Sequence, residues 1–347
     1  MTNITWIPGT ACDFFLSLFV LHHADEFGLR RVRAAGIRQR LSNQSRETLE
    51  NVFTFSGVPL GWISRLPSPQ DAKTVLKTIQ DLRPIERLPM LALPPDVPAE
   101  TIQRLEVISN RGSWTADERT KIISNFGHGV KPSGHGFDTL INTWRSLEDW
   151  GERYLAALLE YQEVFFAEEE LRIRPTLEIG LLQAQVAAQK LSFSQLVEEL
   201  SRGVLLENPE TITSCTLLPS WWVAPLAFLV YPEPGKALMA FDVRTGSKSG
   251  GAAAEAPDLL VTALKVLGDS TRLRILKYLA VEPLAPSELA RRLRLRPPTV
   301  IHHLRLLRFA GLVHVTVSEN FEKRYAARLE ELQTISKLLK DYLVING

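Results

Sequence analysis

One stretch constrains this chain more than any other: from Asp258 onward, each short amphipathic period is closed by a residue that stops it. Leu259, Leu260, Ala263 and Leu267 share one helical face, and Gly268 stands where a helix C-cap belongs. Asp269 and Ser270 offer N-cap oxygens to a second helix over 271–279, with Leu273, Ile275, Leu276 and Leu279 inward. Pro283 to Pro286 break the chain, and Ser287 is the expected cap of a short third helix carrying Leu289, Ala290 and Leu293. Pro298 suits the first turn of a fourth helix over 298–310, whose inward stripe is Val300, Leu304 and Leu307. Val313, Val315 and Val317 then alternate along a strand, Glu319-Asn320 turns the chain, and 321–326 returns it. A last helix, about 329–345, carries Leu332, Ile335, Leu338, Leu339 and Tyr342.

That order, three helices with a turn before a fourth, then a hairpin and a helix, is the winged helix-turn-helix topology. The segments at 263–276, SerGluLeuAla at 287–290, and ProProThrValIleHisHisLeuArgLeuLeuArgPheAlaGlyLeuVal at 297–313 resemble the ArsR-type winged-helix repressors. The likeness covers about the last quarter of the chain. It extends diffusely, around residues 218–225, to long-form members with a large N-terminal region. The resemblance implies a double-stranded DNA partner, a transcription regulator, read as a repressor, and a homodimer paired through the first and last helices of the module, packing against the N-terminal domain being the other reading of their apolar surface. It also brings two departures: Pro297 and Ile301 stand where family members often have polar side chains.

The residues themselves say how the module reads DNA. With Val300, Leu304 and Leu307 inward, helical spacing turns Thr299, His302 and Arg305 outward, where a major groove presents base edges. Arg296 and Arg308 bracket the helix and are expected at phosphates, as is Ser287 at its helix start. Lys323 and Arg324 on the returning wing strand are expected in or beside the minor groove. His303, one step from His302, leans toward the core. Charge agrees with this assignment. From Asp258 to the end the chain has fifteen Lys and Arg against nine Asp and Glu, a surplus of +6, out of totals of 40 and 39 that leave −5 for the remainder.

The remainder reads as mostly helical. Phe14 to Leu21 is an apolar face for the interior: it is too short to span a bilayer, and no Lys or Arg precedes it as in a signal peptide. Residues 137–170 make one long helical pattern, interrupted at Gly151 and ended by Glu168-Glu169-Glu170; a second helix covers about 177–200. Short β-branched runs at 212–218, 226–230 and 237–243 predict strands, the last two as a hairpin. The fold class is therefore mainly α: a helical N-terminal domain with a small β-sheet over 1–244, a linker at 245–257, and a winged helix-turn-helix over 258–347.

Several function classes drop out. Cys12 and Cys215 supply neither a disulfide framework nor a thiolate metal site, which suits a reducing cytoplasm. The resembled family includes metal sensors, yet 284–290 has no thiolate and Asp341 stands alone in the last helix, so no metal and no cofactor is expected. Gly127 to Gly136, with His128 and His135, lacks the strand and the Lys-Ser/Thr ending of a phosphate cradle. All seven tryptophans precede residue 223. Trp144, Trp221 and Trp222 are candidates for a small-molecule effector pocket, with core packing as the other reading. A cytoplasmic DNA-binding regulator without enzymatic activity and without a membrane partner is the expectation; an enzyme or a protein-interaction adaptor with an accessory winged helix is the alternative.

Overall fold

The computed structural model describes residues 2–93, 97–126, 132, 134–224, 226–243, 258–318 and 322–343. The expected linker, the wing turn at Glu319-Asn320 and most of the glycine-rich loop lie outside them. The chain forms two compact units. The first comprises residues 1–182, 212–224 and 228–243; the second comprises 183–211, 225–227 and 244–347.

In the first unit, β1 (Asn3–Trp6) leads into α1 (Ala11–His22), followed by α2 (Arg31–Arg38), α3 (Asn43–Val52), α4 (Leu60–Ile63), α5 (Ala72–Gln80) and α6 (Pro84–Ala92). Then come α7 (Ala99–Arg111), α8 (Ala116–Ser124), α9 (Gly134–Arg145), α10 (Leu147–Tyr161) and α11 (Ala167–Ala188), the last of which contains the unit boundary. Helix α1 is apolar all round and accordingly buried all round: every residue from Ala11 to Leu21 is interior. Phe14 meets Phe15, Tyr161 and Phe166 edge to face at centroid distances of 5.1–5.7 Å.

The long pattern over 137–170 breaks elsewhere than expected. It divides at Ser146, whose backbone leaves the helical region, whereas Gly151 lies inside α10. A Cβ on Gly151 would sit 1.9 Å from the Pro84 carbonyl oxygen, so the glycine is a close-approach position between α10 and α6. Nor does the acidic run stop the helix. Glu169 pairs with Arg172 at 2.5 Å, and Glu170 accepts from the Thr10 hydroxyl, so these charges are held by partners rather than repelling one another.

Residues 214–242 supply β3 (Ser214–Ser220), β4 (Phe228–Glu233) and β5 (Lys236–Asp242). The sheet order is β1-β3-β5-β4. β1 runs parallel to β3 and β3 parallel to β5, and the β4–β5 pair is the expected antiparallel hairpin. β5 is buried from Ala237 onward on both faces, as a central strand with apolar side chains alternating to each side requires.

The second unit begins earlier than the pattern predicts. α12 (Phe193–Ser201) and β2 (Val204–Leu206) belong to it, together with α13 (Asp258–Leu267), α14 (Ser270–Leu279), α15 (Pro286–Leu293) and α16 (Pro297–Phe309). β6 (Val313–Val317), β7 (Lys323–Ala327) and α17 (Leu329–Leu343) complete it. β6 and β7 are antiparallel, and β2 adds a parallel third strand, with Val204 opposite Val315 and Leu206 opposite Val317. The boundary expected at residue 244 therefore differs from the compact unit by residues 183–211. Leu260, Ile275, Leu289, Val300, Leu304, Leu307 and Ile335 meet in one core. Leu273, expected inward, is exposed, because Ile275, Leu276 and Leu279 already fill that side of α14.

Candidate nucleic-acid interface

The helix-turn-helix is set by local chemistry at each joint. Asp269 caps α14 by accepting the Arg272 N–H at 2.9 Å. The Arg272 guanidinium then donates to the Val266 and Lys265 carbonyls at 2.5 and 3.2 Å, satisfying the end of α13. α15 starts at Pro286, with Ala285 as its N-cap; the Glu288 carboxylate accepts the Ala285 N–H at 2.7 Å. That bond is the main reason the Glu288 carboxyl is held below its ordinary pKa. Ser287 is thus not the cap but the second helical residue, exposed at the helix start. Between α15 and α16 the chain turns through Arg294 in the left-handed region, φ 56°.

α16 begins one residue earlier than predicted, with Arg296 as N-cap and two prolines in its first turn, where a missing N–H costs nothing. Val300, Leu304 and Leu307 are wholly buried, the stripe the sequence predicts. Thr299 and His302 are exposed and Arg305 is half-buried on the opposite side. Arg305 Nη2 lies 3.3 Å from His302 Nδ1, so the two outward groups share one patch. Ile301 is exposed beside them. His303 is half-buried, and withdrawal from water lowers its pKa, in keeping with its lean toward the core.

Arg308 departs from its expected place at phosphates. It is 8% exposed and its guanidinium donates to the Gly203 and Ser201 carbonyls at 3.1 and 2.9 Å. Burial pulls its pKa down to about 10. The reason is helical geometry: Arg308 is four residues from Leu304 and lies on the edge of the buried stripe. What it holds is the α12–β2 corner, not a ligand.

The wing residues separate as well. Lys323 and Arg324 are adjacent on β7, so their side chains leave opposite faces. Both are exposed, and Arg324 is the one tied back, 3.6 Å from Glu288 and 3.5 Å from the Pro283 carbonyl. More charge stands before α16 than after it. Arg291, Arg294 and Arg296 are exposed, and none has an ion-pair partner among the described residues; Arg292 pairs with Glu282 at 2.7 Å.

The three tryptophans do not converge on one described cavity. Trp144 is buried and lines a recess with Ile85, Glu106 and Asn110, without Trp221 or Trp222. The Arg172 guanidinium stacks 4.7 Å over Trp221, and Trp222 packs edge-on to Phe165. Sequence reasoning missed Asp13. It is completely buried and accepts hydrogen bonds from Ser220 Oγ and from the backbone N–H groups of Trp221 and Trp222, at 2.7, 3.0 and 2.8 Å. Burial nevertheless raises its pKa to about 6.

No helix among the described residues is long and apolar enough to cross a membrane. No curated protein and no solved structure matches the chain. Residues 269–315, from the cap of α14 to the middle of β6, match the family model for bacterial regulatory proteins of the arsR family. The second unit therefore carries the arsR-family helix-turn-helix domain, which supports a DNA-binding transcription regulator.

Proposed function

We propose that the protein is a sequence-specific, homodimeric transcription repressor, a regulator rather than an enzyme, acting in the cytoplasm. One observation carries this reading: on an arsR-family helix-turn-helix, α16 turns Thr299, His302 and Arg305 away from its core stripe, while Arg291, Arg294 and Arg296 before it are exposed and have no ion-pair partner among the described residues. Arginine and histidine on an exposed recognition helix supply base-edge donors, and the arginines before it supply phosphate contacts. Ser287, Lys323 and Arg324 complete the DNA-facing set, with Arg308 removed from it. Apolar side chains left open on the first and last helices of the module, Leu264 at 43% and Leu343 at 67% exposure, support pairing with a second copy. The first unit takes a small-molecule effector in this reading, with Trp144, Trp221 and Trp222 as reporters.

Footprinting the full chain on duplex DNA upstream of its own coding region tests the proposal. The expected result is a protected, two-fold-related site. The double variant His302→Ala, Arg305→Ala is expected to lose preference for that site over unrelated duplex while remaining folded. Unchanged affinity and preference in the double variant would refute the assignment of α16.

A further inference from the structure

Helix α11 is apolar on two sides. Within the first unit, Ile173 and Leu177 are buried and Gly180 closes against Val243. On the opposite side stand Leu171 at 73%, Ile179 at 57% and Leu182 at 62% exposure, with the exposed Pro175 among them. Steps of four, four and three residues keep these side chains in one row along about three turns. Single exposed leucines are ordinary on a protein surface. A contiguous row of large apolar side chains on the solvent side of a helix marks an interaction surface.

The charges beside the row select its occupant. Arg174 and Glu178 flank it on one edge, a turn apart, and both are exposed. Arg174 reaches Glu170 at 3.4 Å, and Glu178 has no ion-pair partner among the described residues. Consider a second α11 laid antiparallel about a two-fold axis. Leu171 then meets Leu182 of the other copy, Pro175 meets Ile179, and Arg174 meets Glu178, because the three pairs share one midpoint on the helix to within a residue. The two-fold repeats each contact, so both edges carry an opposite-charge pair. A parallel pairing instead sets Arg174 against Arg174 and Glu178 against Glu178. The row is therefore complementary to itself, in charge as well as in apolar character, in one orientation.

We propose that α11 is a dimer contact: the row from Leu171 to Leu182 packs antiparallel on the same row of a second copy of this chain, with Arg174–Glu178 pairs along its edges. The surface belongs to the first unit, outside the arsR-family module, and is additional to pairing through α13 and α17. The proposal goes beyond the DNA reading, and its test uses no DNA, so the assignment of α16 stands or falls separately.

Sedimentation equilibrium of the full chain is the test. The wild type is expected to be a dimer at micromolar concentrations. Arg174→Glu and Glu178→Arg are each expected to raise the dimer dissociation constant about tenfold, since two like-charged contacts replace two opposite ones. Both positions are exposed, so each variant folds, as a far-ultraviolet circular dichroism spectrum like that of the wild type verifies. An equimolar mixture of the two variants is expected to regain the wild-type affinity, because every contact between unlike copies is again Glu against Arg. Ile179→Asp is expected to weaken pairing in the wild type and in the mixture alike. A wild-type monomer, single reversals that pair as tightly as the wild type, or a mixture no tighter than its components overturns the proposal.

Discussion

Arg305 and Arg308 stand three positions apart on one helix and have opposite surroundings. Arg305 faces outward beside His302, whereas Arg308 is sealed beneath two backbone carbonyls. Removing Arg308 leaves those buried acceptors unpaired, at about 1–3 kcal/mol for each group. Arg308→Ala should therefore lower the melting midpoint of the second unit by several degrees, yet leave the salt dependence of DNA binding unchanged. Arg294→Ala should do the reverse: no change in melting, and a fall of about one in the slope of log K against log salt. Asp13 makes a separate prediction for the first unit. Its folded pKa, about 6, lies above the ordinary 3.8. Between those values the folded state keeps a proton that the unfolded chain releases, so stability is lost as pH rises through the window. Thermal melts should show a loss on the order of 3 kcal/mol from about pH 4 to pH 6, then a plateau, and Asp13→Asn should abolish the slope.

At the scale of elements, legibility followed the length of the pattern. The α16 stripe was plain because Val300, Leu304 and Leu307 repeat at helical spacing and prolines mark the start. The β6 alternation was plain for the same reason. β1 and β2, at four and three residues, are too short for a period, and β2 finds its partner more than a hundred residues downstream. The burial of Arg308 was readable in principle, from its four-residue step past Leu304, but charge argued for the surface. Ser287 reads as a cap because serine is a good one, and the helix starts two residues earlier, at Pro286. Asp13 was hidden because its partners lie some two hundred residues away on β3 and the turn after it. β2 also yields a test. A fragment starting at residue 245 lacks α12 and β2, so it leaves Arg308 without its carbonyls and β6 with an open edge. It should melt lower than the same module within the full chain, and an equal midpoint would show the added strand to be dispensable.

For the whole molecule, the uneven charge separates two tasks. The basic surplus lies on residues 258–347, which carry the arsR-family domain, and an acidic surplus lies on the residues before them. The measurement that tests the central claim most directly is the affinity of the full chain for its footprinted duplex, taken across a salt series, beside the His302→Ala, Arg305→Ala variant. The account predicts a steep linear fall of log K with log salt, and a variant that retains weak, salt-sensitive binding to any duplex while losing its preferred one. Affinity that ignores salt, or a variant that still singles out the same site, would contradict it.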